Sequence, residues 1–588
     1  MPKLLTVKQM RALEAAANKA GLTYAEMMQT AGRAVADRVK DLIADLPNAD
    51  ARVAILVGKG NNGGDGLVVA KILATETSAV ISLFLTEARD EADPVFAAVR
   101  EVGLFAVEAP IDAEQGFRVL KTMVSNADII VDALLGTGVT LPIKGDLEKI
   151  LRTIHTGLRL RQTDRPRSTS NTPSSPTMAP FDSPIIIAVD VPTGLDADTG
   201  ALDQHAIHAD ETITFEAIKP GLITFPGAAA VGMLHVAPLG IPEKTEPQHS
   251  VKHIVVDSQQ VKKLLPMRPP NAHKGTFGTA VLVAGSVNYS GAASLAAIGA
   301  YRVGAGLVTV AAPQAIIPTL ASRLAEATWV LLPHDMGVLN RAAARVLREE
   351  LEGCSALLIG PGLGQETPTA EFIEALFQPE SSKPKARTMG FGFAPAAAPQ
   401  SGEASTETKA NTATALPPLV IDADGLNLLA KIDQWWARLP ANTILTPHPG
   451  EMARLVGIED SADHKAIEQV QSNRIGIAVE KAAAWNAIVV LKGAFTVIAA
   501  PDGRVAILPF ATPSLARAGT GDVLAGMVTG MLAQGLTPFD AAIAAGYLHG
   551  YAGELATGYV GHSASVLASD VADHIADALA TVNASSQD

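Results

Sequence analysis

The strand-like segments of this chain are continuous apolar runs rather than an alternation of apolar and polar positions. RVAILVG (52–58), VISLFL (80–85), DIIVDALLG (128–136), IIIAVDVP (185–192) and TITFEAI (212–218) are apolar almost throughout. Helix-like stretches such as LVVAKILA (67–74) and DLEKILRTI (146–154) lie between them. Strands buried on both faces and alternating with helices imply a parallel sheet covered on either side. The chain opens on two helices. Thr6-x-x-Gln9 and Thr23-x-x-Glu26 both match the capping box, in which hydroxyl and Gln or Glu side chain each satisfy a free backbone N–H. After the second box, Met27, Ala31, Val35, Val39 and Leu42 recur at helical spacing, which predicts one long helix with one apolar face.

From about 251 the style repeats. TAVLVAG (279–285), LVTVAAP (307–313), SALLIGPG (355–362), PLVIDADG (418–425) and AIVVLKG (487–493) read as strands. SLAAIGAYRVGAG (294–306), TGDVLAGMVTGMLAQG (520–535) and FDAAIAAGYLHGYAGELA (539–556) read as helices, rich in the Ala and Gly that suit close packing. The expected organisation is two α/β domains, 1–245 and 251–588, with PLGIPEKTEPQHS (238–250) as a linker. Segments 161–183 and 379–417 are rich in Ser, Thr and Pro and lack apolar periodicity, so they read as disordered or mobile insertions.

Composition narrows the function. A chain of 588 residues, 48% hydrophobic and 18% charged, is long and apolar enough for two sizeable cores. Aromatics at 4% and a net charge of −14 argue against a nucleic-acid partner, which wants stacking rings and a basic face. The one cysteine, Cys354, excludes an intrachain disulfide framework and a Cys-rich zinc site, and reads as a small buried residue. There is no apolar run of membrane length and no signal-peptide core, so a soluble cytoplasmic enzyme without a membrane partner is expected.

Three loops of the first block carry candidate chemistry. Gly58-Lys59-Gly60-Asn61-Asn62-Gly63 matches the glycine pattern of dinucleotide-binding loops and follows a strand. It continues Gly64-Asp65-Gly66, and a carboxylate there would repel a pyrophosphate. The alternative is a tight turn with Asp65 as helix N-cap. Asp132-Ala-Leu-Leu-Gly136-Thr137-Gly138 and Asp190-Val-Pro192-Thr193-Gly194 end two further strands. In a parallel sheet such ends meet in the ligand crevice. Asn62, Asp132 and Thr193 offer oxygen to a hard cation, leaving Asp190 for proton transfer. NNGGDG, DALLGTG and VDVPTGLD, in this order, resemble the amino-terminal domain of NAD(P)H-hydrate epimerases. The resemblance implies a Rossmann-like three-layer α/β/α domain. It implies that Asn61, Asn62, Gly63, Gly64, Asp65, the loop Gly136, Thr137, Gly138, Val139, Thr140, Leu141 and Pro142, and Asp190 hold the hydrated dinucleotide. Asn62, Asp132 and Thr193 would bind potassium.

In the second block Ala518-Gly519-Thr520-Gly521-Asp522 runs glycines into a helix start. Free N–H groups there stabilise a transferred phosphoryl, and an adjacent Asp can take the proton of an attacking hydroxyl. The alternative is an Asp N-cap. His448 and Glu451 of TPHPGE face one way if that segment is helical; Asp422 and Lys492 read equally as a buried structural acid and a surface lysine. Together HKGTFG (273–278), GPGLG (360–364), DADGLN (422–427), TPHPGE, KGAFT and GTGD resemble the ribokinase-like NAD(P)H-hydrate dehydratases. By that resemblance Ala292, Gly364, His448 and Asp522 contact the hydrate. Lys492, Gly493, Ala494, Phe495, Thr496 and Gly521 bind the nucleotide, Asp522 is the base, and Glu451 acts through water on magnesium. Relatives usually carry Gly where this chain has Ala518.

Both halves therefore resemble one bifunctional repair enzyme for NADHX and NADPHX, the hydrated forms of NADH and NADPH. It would use K+ at the first site and Mg2+ with ADP at the second, as a homo-oligomer. A small-molecule kinase fused to a dinucleotide-binding domain, and a non-enzymatic scaffold, are the other readings that the residues leave open.

Overall fold

The structure is a computed structural model that describes residues 2–46, 50–90, 93–164, 183–378, 416–458 and 464–584. Nearly all of the two expected insertions, 165–182 and 379–415, therefore lies outside the described residues. The chain divides into two compact units, Met1–Val255 and Val256–Asp588.

The first unit is built on seven strands: β1 (Arg52–Val57), β2 (Val80–Leu85), β3 (Phe105–Glu108), β4 (Ile129–Ala133), β5 (Ile185–Val189), β6 (Glu211–Phe215) and β7 (Met233–Ala237). All pair in parallel, in the order β3-β2-β1-β4-β5-β6-β7. The order reverses between β1 and β4, which opens a crevice at their carboxyl ends. The continuous apolar runs are explained by the two cores. Val53, Ile55 and Val57 join a cluster with the helices Val7–Lys19, Tyr24–Asp45 and Asn61–Glu76. Ala54 and Leu56 join another on the opposite face with Arg118–Asn126 and Asp146–Asp164. Both capping boxes form, and Met27, Ala31, Val35, Val39 and Leu42 are all buried.

Three expectations need correction. TITFEAI is not one strand: Glu216 turns into left-handed backbone (φ 58°), and Ala217–Ile218 leaves the sheet to pair with Lys3–Leu4. Segment 238–250 is not a free linker, because Leu239 and Ile241 enter the first core and Gln248 bonds Glu216. The helix from Asp146 runs on through Asp164, so the first residues assigned to an insertion continue it.

Among the described residues the main sheet of the second unit takes nine of its strands: β8 (Thr279–Val283), β9 (Leu307–Pro313), β10 (Thr328–Leu332), β11 (Ala356–Ile359), β12 (Leu419–Ile421), β13 (Ile444–Leu445), β14 (Ile488–Leu491), β15 (Val497–Ala499) and β16 (Val505–Ile507). Their order is β10-β9-β8-β11-β12-β13-β14-β15-β16, parallel up to β14 and antiparallel beyond. β10, β15 and β16 carry no clear signal in the sequence, being short or at the sheet edge. Cys354 is half-buried, not fully buried, and burial raises its thiol to about 11, so it is unreactive at neutral pH.

Helices Ser290–Arg302 and Thr520–Ala533 approach backbone to backbone. A Cβ at Gly526 would lie 1.9 Å from the Ala296 carbonyl oxygen, and one at Gly299 would lie 2.4 Å from that of Val523. Neither obstacle is a movable side chain. Gly526→Ala is expected to cost about 1–3 kcal/mol by overpacking, read as a lower urea midpoint at unchanged slope. A midpoint equal to wild type would show that the helices separate freely.

Candidate active sites

The first site lies where the strand order reverses. A Cβ at Gly58 would sit 1.7 Å from the Leu134 carbonyl oxygen, and one at Gly63 would sit 1.9 Å from the carbonyl oxygen of Gly58. These glycines let the loop after β1 touch the loop after β4 and fold the next helix onto the strand end. That helix, Asn61–Glu76, is capped by Gly60 without a side-chain bond. Asp65 lies in its second turn, so the reading of Asp65 as N-cap is corrected.

Hydrogen bonds join the three motif loops in a chain. Asn62 Nδ2 donates to Leu135 O (3.0 Å), Leu135 N donates to Thr193 Oγ1 (3.0 Å), and Thr193 Oγ1 donates to Asp132 Oδ1 (2.7 Å). Thr193 N donates to Asp132 Oδ2 (2.8 Å). Asn62, Asp132 and Thr193 are all buried. Burial pushes the Asp132 carboxyl up to about 6, against the opposing bonds from Thr193 and Leu134 N. Among the described residues none of the bonds on Asp132 comes from a cationic side chain. A fixed carboxylate, an amide oxygen and a hydroxyl with lone pairs to spare suit a hard monovalent cation. The loop 136–142 starts against Asn62: a Cβ at Gly136 would lie 3.5 Å from Asn62 Oδ1. Within that loop Gly138, Thr140 and Pro142 are exposed.

Asp190 follows β5 in left-handed backbone (φ 63°). Its Oδ1 accepts from Lys219 Nζ at 2.6 Å and from Thr214 Oγ1 at 3.0 Å. Lys219 is only 1% exposed. Beside it opens a cavity of about 460 Å³ lined by Glu14, Tyr24, Met28, Asn61, Asp65 and Phe215, among others. Asp65 is 8% exposed and makes no side-chain hydrogen bond among the described residues. Burial, then the charges of Asp190 and Glu14, hold its carboxyl well above the usual range. Burial and Asp190 raise Glu14 as well. Glu14 and Lys219 were not identified from the sequence; no motif marks either, and each reaches the site only through folding.

At the second site, Gly519 (φ 92°) is the N-cap of the helix Thr520–Ala533 and Asp522 is its third residue. Asp522 is therefore not the cap, and the first-turn N–H groups point past the helix end. Burial, then the Asp422 charge, push Asp522 up to about 7, while Lys492 opposes. Lys492 is not a surface lysine. Its Nζ donates to Asp422 Oδ1 at 2.6 Å and lies 3.7 Å from Glu451 Oε2. A Cβ at Gly521 would sit 3.5 Å from the same nitrogen, which puts the ammonium beside the helix start. Burial alone would lower Lys492; Asp422 and Glu451 outweigh it and raise it. Asp422 is buried and also accepts from Thr446 Oγ1 at 2.7 Å.

His448 and Glu451 form a capping box on the helix Pro449–Leu455. His448 Nδ1 accepts from Gly450 N at 3.1 Å, and His448 N donates to Glu451 Oε2 at 2.8 Å. Burial, then Lys492, pull the imidazole down to about 4, so it is neutral, with half of its side chain exposed. Gly364 N donates to Asp424 Oδ2 at 2.9 Å. Ala292 adjoins the same loop: a Cβ at Gly362 would lie 2.8 Å from its methyl. The loop 492–496 turns through left-handed backbone at Phe495 (φ 50°) and is braced by Arg474, which donates to Leu491 O at 2.9 Å. Arg474 was also missed from the sequence, since it opens an ordinary helix. Ala518 is exposed.

A crevice at a strand-order reversal in one unit, and a glycine-led helix start with carboxylate and lysine in the other, define a two-site α/β enzyme. The family described as NAD(P)H-hydrate dehydratase matches residues 280–382 and 395–577, and that described as YjeF-related protein N-terminus matches 24–221. The bifunctional NAD(P)H-hydrate repair enzyme of Salinibacter ruber is 35% identical, over 94% of this chain and 92% of its own. That of Moorella thermoacetica is 34% identical over 86% and 83%. A crystal structure of the ADP/ATP-dependent NAD(P)H-hydrate dehydratase of Bacillus subtilis, co-crystallised with ATP and Mg2+, is 30% identical, covers 56% of this chain and 98% of that one, and has a TM-score of 0.42. The chain belongs to the bifunctional NAD(P)H-hydrate repair enzymes, which fuse an epimerase to a dehydratase.

Proposed function

We propose that the first unit interconverts the R and S epimers at C6 of hydrated NADH and NADPH, and that the second converts the S epimer to NAD(P)H at the expense of ADP. The observation that carries the reading is Asp522: a carboxyl raised to about 7, at the start of a helix and beside the Lys492 ammonium. Such a group takes a hydroxyl proton near neutral pH. The freed C6 oxygen attacks the terminal phosphorus of ADP, the bridging P–O bond breaks, and AMP leaves. The C6–O bond then breaks with loss of phosphate, and loss of a C5 proton leaves the ring double bond. The helix N–H groups and Lys492 hold the moving phosphoryl. Ala292, Gly364 and His448 line the hydrate side, and 492–496 with Gly521 the nucleotide side. Magnesium supplies charge neutralisation on the phosphates.

In the first unit Asn61–Asp65, Gly136–Pro142 and Asp190 hold the hydrate, and Asp190 moves the proton. Asn62, Asp132 and Thr193 would hold potassium, whose charge would offset that of the buried Asp132 carboxylate. The protein acts as a cytoplasmic homo-oligomer. The test is to incubate it with mixed epimers, K+, Mg2+ and either ADP or ATP while following NADH absorbance. Nucleotide-dependent consumption of both epimers is expected, with ADP the better donor. No NADH from pure S epimer would refute the second activity, and R epimer left over would refute the first.

A further inference from the structure

Two carboxyl groups line the 460 Å³ cavity, Glu14 from the helix Val7–Lys19 and Asp65 from Asn61–Glu76, and a third, Asp190 after β5, lies within electrostatic reach of both. A buried ammonium lies against Asp190. Lys219 Nζ donates to Asp190 Oδ1 (2.6 Å), Thr214 Oγ1 (2.9 Å) and Phe215 O (3.1 Å), which uses all three of its N–H bonds. Thr214 Oγ1 and Phe215 N also point at Asp190 Oδ1, at 3.0 and 3.4 Å. Among the described residues every hydrogen bond to the Asp190 side chain thus falls on one oxygen, and Oδ2 is left for the substrate. Asp65, by contrast, is nine-tenths buried against the same cavity without a side-chain hydrogen bond among the described residues.

We infer that Lys219 is the positioning residue of the first site: by clamping Oδ1 it makes Asp190, among three neighbouring carboxyl groups, the one that serves as base through Oδ2. The inference rests on the proposed epimerisation. Close carboxyl groups in a cavity do not all ionise together, and the one whose oxygen is fixed by a cation and two further donors is the one held in a single orientation. Burial and the Asp190 charge keep Asp65 and Glu14 toward their neutral forms, in keeping with this division. The charged groups around Asp190 are therefore Lys219, Asp65, Glu14 and, beside Glu14, Arg11.

The test is the pH–rate profile of R-to-S conversion in Lys219→Gln, which keeps hydrogen-bond donors but removes the charge. Lys219→Gln removes the fixed charge that lies 2.6 Å from Asp190 Oδ1, so the acidic limb of the profile is expected to move to higher pH. At pH 7 kcat should fall about 10²-fold, the lower end for losing general-base help, with KM within a few-fold. Raising the pH should recover part of the loss. Lys219→Met, which keeps the stem without donors, gives the second variant. Turnover of pure S epimer at the second site is the internal control for folding. In an Asp190→Asn background, Lys219→Gln should have little further effect, because the two act as one unit. A Lys219→Gln profile that superimposes on wild type, or losses that multiply in the double variant, would overturn the inference while leaving epimerisation intact. Absence of epimer interconversion in wild type would overturn the reading on which it rests.

Discussion

Asp522→Asn is expected to abolish nucleotide-dependent NADH formation, with a fall of at least about 10²-fold in kcat. The amide keeps the shape of the carboxylate and cannot accept a proton. Helix capping is not at stake, because Gly519 is the N-cap and Asp522 is the third helical residue. In wild type, dehydration should rise with pH through about 7, where Asp522 loses its proton. Stability gives an independent check of sign. The folded carboxyl is raised from its ordinary 3.8 to about 7, so the native state carries a charge cost that appears as pH rises between these values. Asp522→Asn removes that cost. Its Tm should match wild type near pH 4 and exceed it at pH 8. A variant that is destabilised at both pH values would mean that the activity loss reports misfolding, and dehydration within about tenfold of wild type would remove Asp522 from the role of base.

Asp190→Asn is expected to give the complementary result. R-epimer consumption should fall by about 10²–10⁴-fold while pure S epimer is still dehydrated. The two sites lie on different sheets in different units, so losses at one have no reason to reach the other. Followed with R epimer alone, the variant should stall; with S epimer alone it should proceed. Equal rates on both epimers would mean that proton transfer in the first site does not pass through Asp190.

What was legible in the sequence was what is set locally. The capping boxes at Thr6 and Thr23 are formed within four residues, and β1 shows its double burial in every position from Val53 to Val57. The glycine loop and the two other oxygen-bearing motifs were visible because each sits at a strand end. The structure adds how they touch: the Asn62–Leu135–Thr193–Asp132 chain spans three loops. Lys219 stayed hidden because it pairs with Asp190 across 29 residues, and Lys492 looked like a surface residue until Asp422, 70 residues away, was found against it. Glu14 lies before residue 24, where the match to the amino-terminal family begins. Such pairings have no period and no fixed spacing, so neither apolar pattern nor motif announces them.

Lys492 carries a last consequence. Its positive charge is already answered by Asp422 at 2.6 Å, with Glu451 behind it and Asp522 across the helix start. A diphosphate entering here meets a wall with more minus than plus. Its welcome comes from oriented backbone dipoles, from the N–H bonds that Lys492 does not spend on Asp422, and from whatever cation travels with it, so a bare nucleotide should be a poor guest and its metal chelate a good one.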